Sequence, residues 1–178
     1  MTEEAKTTKN PCEDMPTMLA YAHRIEVEAA ERYSMLADQM EIANNMELAK
    51  LFRKMEKIEG KHADHILGKA GPEGIPQLGS LDYCWEDGEG PETLDFNDVH
   101  YKMTPWHALQ LALAAEKRAY TFFARLTKEA CDKDVQALAR ELAEEEEEHI
   151  DFVLNEMKKY SPPEPGWDED LDPPNHSE

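Results

Sequence analysis

Residues 52–67 read FRKMEKIEGKHADHIL, and residues 139–154 read ARELAEEEEEHIDFVL. Each stretch holds one Glu-x-x-His: Glu59 with His62, and Glu146 with His149. The two pairs lie 87 residues apart, 59 to 146 and 62 to 149. Each pair interrupts an apolar stripe. One stripe runs Leu48, Phe52, Met55, position 59, position 62, Ile66; the other runs Val135, Ala139, Leu142, position 146, position 149, Val153. Steps of three and four residues mark the inward face of an amphipathic helix. Residues three apart share that face, so each Glu and its His are directed at one target inside a core.

The segments upstream repeat the pattern. IEVEAAERYSML at residues 25–36 has its counterpart 90 residues later, with Glu26 matched by Glu116 and Tyr33 by Phe123. The seam of the first runs Leu19, Ala22, Glu26, Ala29, Tyr33, Leu36, Met40, and that of the second Leu109, Ala112, Glu116, Ala119, Phe123, Leu126. The difference between offsets of 90 and 87 falls in the connecting loop, which fits duplication of a helical hairpin. Helices are predicted at about residues 17–40, 46–67, 105–128 and 133–160. Pro16 and Thr104-Pro105 are entry signals, and Gly68, Gly71 and Pro72 close the first pair. The short connections at 41–45 and 129–132 make each pair antiparallel neighbours. The expectation is an all-α four-helix bundle over residues 17–160, two helical hairpins joined by a long crossover at 69–103 that returns from one end of the bundle to the other. Residues 1–16 and the acidic, proline-rich tail at 161–178 are expected to be mobile.

Four carboxylates and two imidazoles therefore converge on one core. Desolvation and mutual repulsion oppose such a cluster when its carboxylates are ionised. Two divalent cations relieve it, since their four charges balance four carboxylates and each gains a histidine. The candidate ligands are Glu26, Glu59, His62, Glu116, Glu146 and His149. Within the run 144–148 only Glu146 faces inward, and its neighbours form a solvated face. His65 falls beside the seam and belongs to the surface or to the surroundings of the ligands. His23, His100, His107 and His176 have no partner pattern and are assigned structural or solvated places. Met35, Met40, Met46 and Met55 are read as packing residues. Tyr33 lies two turns along the seam from Glu26. Its hydroxyl, if buried, needs a partner such as a ligand carboxylate; plain core packing is the alternative.

A net charge of −20 excludes electrostatic binding to nucleic acid or an anionic membrane surface. No apolar run approaches the roughly 18 residues that span a bilayer, and the polar start carries no signal-peptide h-region. Cys12, Cys84 and Cys131 are widely spaced and odd in number, which suits a reducing cytoplasm rather than a disulfide framework.

At these motifs the chain resembles the rubrerythrin branch of the ferritin-like superfamily, over residues 17–160. The residues that carry the likeness are Glu26 with Tyr33 seven later, Glu59-Gly60-Lys61-His62, Glu116, and Glu146-Glu147-Glu148-His149. The resemblance implies an erythrin-type bundle holding two iron ions, and a non-haem di-iron centre that reacts with hydrogen peroxide or oxygen. Such an oxidoreductase needs an external electron donor, and the resemblance also implies a homodimer. Three departures stand out. The rubredoxin-like domain with its CxxC-type pairs, carried by many rubrerythrins, has no counterpart here. Ala119 stands where an additional Glu is often found, one turn after Glu116. Phe123 replaces Tyr33 in the second half. The alternative function is a ferroxidase, or an iron-handling or iron-storage protein. Ligand type alone leaves manganese open.

Overall fold

The computed structural model describes residues 9–79, 83, 85, 90–93 and 103–164. It contains α1 (Met15–Ile42), α2 (Met46–Lys69), α3 (Pro105–Glu129) and α4 (Lys133–Met157). Among the described residues there is no strand, only one isolated parallel bridge between Lys9 and Tyr83. Each start has its local cause. Asp14 accepts from the Thr17 amide at 2.8 Å, Asn45 from Leu48 at 3.1 Å, and Asp132 from Asp134 at 2.7 Å. These side chains satisfy amide donors that the helix itself leaves unpaired. At α3 the Thr104 amide donates to His107 Nδ1 at 3.3 Å, so His107 closes the helix start. Between α1 and α2 the chain turns at Asn44, whose φ of 56° lies in the left-handed region that Asn tolerates better than most residues.

α1 packs chiefly on α2 and α3 on α4, and α1 lies against α3 as well. All the seam residues named above are buried except the two histidines, which are half-buried. The core falls into two apolar layers. One gathers Leu19, Ala22, Ile25, Ile66, Phe123, Leu126, Val135 and Leu142. The other gathers Leu36, Met40, Leu48, Phe52, Met55, Leu109, Ala112 and Val153. The start of α1 thus shares a layer with the ends of α2 and α3 and the start of α4. The crossover must therefore run the length of the bundle, as its position in the sequence predicts. The charged seam positions lie between the two layers.

The structure differs from the sequence reading at several ends. α1 starts at Met15 and α2 continues through Gly68 to Lys69, while α4 stops at Met157. Residues 9–14, expected to be mobile, are fastened: Tyr21 Oη donates to the Lys9 carbonyl at 2.7 Å, and Cys12 packs on the first apolar layer. Met40 and Met55 are buried as expected, but Met46 is 49 % exposed. Cys84, His100, His176 and the tail beyond residue 164 lie outside the described residues.

Candidate metal centre

The six seam residues meet midway along the bundle. His62 Nδ1 lies 3.4 Å from Glu59 Oε2 and 3.6 Å from Glu26 Oε2. His149 Nδ1 lies 3.4 Å from Glu59 Oε1, 3.4 Å from Glu116 Oε2 and 3.7 Å from Glu146 Oε2. Glu59 therefore turns one oxygen to each histidine. The imidazoles stack almost parallel, with centroids 5.4 Å apart. Two compact groups result, Glu59–His62–His149 and Glu116–Glu146–His149, with ligand atoms within 4.8 Å of one another in each. Glu26 stands at the edge, beside His62. Metal–ligand bonds of about 2.1 Å put neighbouring ligand atoms about 3.0–3.4 Å apart, close to these separations.

The donor set fits a cation on a second count. Glu59 Oε1, His62 Nδ1 and His149 Nδ1 are buried and have no hydrogen-bond partner. A buried polar atom without a partner is costly, and a metal ion would supply one for all three. Without it, protons share the site. Burial pushes Glu26 up to about 7, and burial with Glu116 nearby pushes Glu146 well above the carboxylate range. Glu26 and Glu59 raise His62 to about 10. Burial opposes the charge on His149, but Glu116 and Glu59 outweigh it and raise the imidazole to about 9. Glu116 behaves differently. Burial pushes it up, yet Arg32 and then His149 hold it well below the ordinary range.

Tyr33, fully buried, donates to Glu116 Oε1 in a short hydrogen bond. Its partner is thus a carboxylate from the other hairpin. The open side of the centre lies between α2 and α4, in a groove lined by Lys54, Met55, Ile58, His62, Glu145, Glu148, His149 and Phe152. His62 and His149 retain 25 % and 12 % side-chain exposure there, whereas the four carboxylates are buried.

A family model described as rubrerythrin matches residues 17–157. The chain belongs to the rubrerythrin family. Rubrerythrins typically hold a di-iron centre, and the carboxylate and histidine groups of this member could hold a metal. The crystal structure of an uncharacterized conserved protein from Magnetospirillum magnetotacticum is similar to it, with 34 % identity and a TM-score of 0.71, covering 85 % of this chain and 98 % of that one. Together with the four helices, that likeness makes the fold an all-α ferritin-like bundle. No protein of curated function matches. No helix among the described residues of this rubrerythrin is long and apolar enough to cross a membrane.

All six predicted seam residues are brought together from the two hairpins of this chain. His65 is not among them. It is 62 % exposed and faces Glu141 at the surface. Sequence reasoning missed two buried charges beside the centre, Arg32 and Glu92. Arg32 left a faint signal, since Ile25, Ala29, Arg32 and Leu36 follow helical spacing. Glu92 left none, because an irregular crossover has no period to read.

Proposed function

We propose that this rubrerythrin binds two iron ions through Glu26, Glu59, His62, Glu116, Glu146 and His149. We read it as a non-haem di-iron oxidoreductase acting on hydrogen peroxide or oxygen. The observation that carries the reading is Glu59, buried between two histidines whose inward nitrogens have no hydrogen-bond partner. Two ferrous ions, when bound, would supply the two electrons that convert one peroxide to water. The chain's own part is to bind and orient. Glu26 and Glu59 with His62 would hold one ion, and Glu116 and Glu146 with His149 the other, with Glu59 reaching both. Hard carboxylate oxygens suit a metal that changes charge. Tyr33 donates to Glu116 Oε1, which would leave Oε2 free to bind a metal. The apolar layers exclude water from both ends, so a small substrate would arrive through the α2–α4 groove past the histidine edges. The reading includes an external electron donor, a homodimer and a cytoplasmic setting.

A second reading, ferroxidase or iron handling, draws on Glu145 and Glu148 at the groove, which could attract ferrous iron as cargo. Anaerobic reconstitution with ferrous iron tests the shared premise: about two ions per chain are expected, and none would sink both readings. Peroxide consumption over many turnovers with an added reductase supports the oxidoreductase. A single burst of iron oxidation, unaffected by reductant, supports iron handling.

A further inference from the structure

We propose that Glu92, carried by the crossover, is a positioning residue of the metal centre. Paired with Arg32, it keeps Glu116 offering one oxygen to the metals and matches the charge of the buried cluster to two divalent cations. The proposal rests on the metal-binding reading above. Residues 90–93 form a clip across α1 and α3. Arg118 Nε donates to the Pro91 carbonyl at 2.8 Å and its Nη2 to the Thr93 carbonyl at 3.3 Å, while Thr93 Oγ1 donates to Glu28 Oε2 at 3.2 Å. Gly90 passes so close to Glu28 that a Cβ there would collide with the carboxylate. Thus fastened, the clip sends Glu92 into the core, where both it and Arg32 are 1 % exposed.

Arg32 Nη2 donates to Glu92 in a short ion pair and to Glu116 Oε1 at 2.8 Å. Tyr33 donates to the same Oε1. That oxygen is therefore fully engaged, and Oε2 is the one left facing His149. Five buried carboxylates, Glu26, Glu59, Glu92, Glu116 and Glu146, stand against one guanidinium. When all five are ionised, four negative charges remain, the number two divalent cations balance; in the metal-free chain burial holds protons at the site, pushing Glu92 up to about 8 despite Arg32. Packing does not explain the pair. Glu92 Oε1 and Arg32 Nε and Nη1 are buried without hydrogen-bond partners, and an apolar pair of similar volume is often at least as stable.

Charge predicts opposite signs for the two single variants. Anaerobic cobalt(II) titration, followed by the visible absorption of the bound ion, would compare wild type, Glu92→Gln, Arg32→Gln and the double variant. Helicity and thermal melting of the metal-free chains serve as the folding control. Glu92→Gln leaves the guanidinium uncompensated beside the ions and should weaken cobalt binding by roughly tenfold or more. Arg32→Gln leaves an extra carboxylate and should tighten it, and the double variant should return close to wild type. If Glu92→Gln does not fold, adding it to Arg32→Gln must still weaken binding. Unchanged affinity in both single variants, or shifts of the same sign, overturns the proposal alone. Wild-type protein that takes up no cobalt removes the metal-binding reading first, and the proposal with it.

Discussion

Tyr33→Phe is the sharpest test of how the centre is built. The substitution removes one oxygen from a side chain with no exposed surface and leaves its ring packing in place. Phe52 still lies 5.8 Å from the ring centroid, and the Arg32 guanidinium still sits 4.1 Å above it. What disappears is a hydrogen bond to Glu116, a carboxylate that Arg32 and His149 hold ionised against burial. A bond to a charged acceptor contributes about 1.5–3 kcal/mol. Glu116 keeps its Arg32 donor, and a buried Phe costs less to desolvate than Tyr, so we expect a loss of about 2 kcal/mol. For a chain of this size that lowers the melting temperature by about 4–8 °C. The assay is thermal and urea unfolding of metal-free protein at pH 7. The sign at that pH follows from Glu116. Its pKa is depressed in the folded state, so its contribution is fully present above the ordinary carboxylate pKa and lost only as pH falls far below it. Tyr120→Phe, at a surface position, should change nothing and serves as the control. Stability of Tyr33→Phe within about 0.5 kcal/mol of wild type would refute the inference that this hydroxyl holds Glu116.

Three further outcomes follow from the same geometry. Glu59→Ala or Glu146→Ala should abolish metal-dependent oxidation, whereas Glu145→Ala and Glu147→Ala should leave it nearly intact. Equal damage from Glu145→Ala and Glu146→Ala would contradict the helical register. At pH 7, metal uptake should release more than three protons per chain: His62, His149 and Glu92 hold theirs, Glu26 is near half-protonation, and burial with Glu116 nearby raises Glu146 well above the ordinary carboxylate range. Calorimetry in buffers of different ionisation heat measures that number, and no release would contradict the protonated metal-free site. Glu59→Ala and Glu116→Ala chains, unfolded and refolded together, should recover no metal sites, because one chain supplies both hairpins; recovery would mean that hairpins exchange between copies.

The sequence by itself determined the helices, the seams and the six inward candidates. Helical period is a local property: a Glu every third or fourth residue in an apolar stripe can face only where the stripe faces, and the stripe is driven inward by burial. The duplicated hairpin strengthened this, since Glu26 and Glu116, and Glu59 and Glu146, predict each other's placement. Helix ends were less legible. Gly68 reads as a stop, yet α2 runs past it to Lys69, and residues 9–14 look free until Tyr21 and the core hold them. Only the tertiary structure decided which hydroxyl, guanidinium and loop carboxylate meet the centre. Arg32 is a long, charged side chain that ordinarily keeps its head in water, and its burial depends on Glu92, 60 residues away in an aperiodic crossover. Such a contact is fixed by the path of the chain across α1 and α3, which no local pattern encodes. That one chain closes both halves of the site was likewise a matter of docking two seams, because the spacing of residues within a hairpin says nothing about which hairpin it will meet.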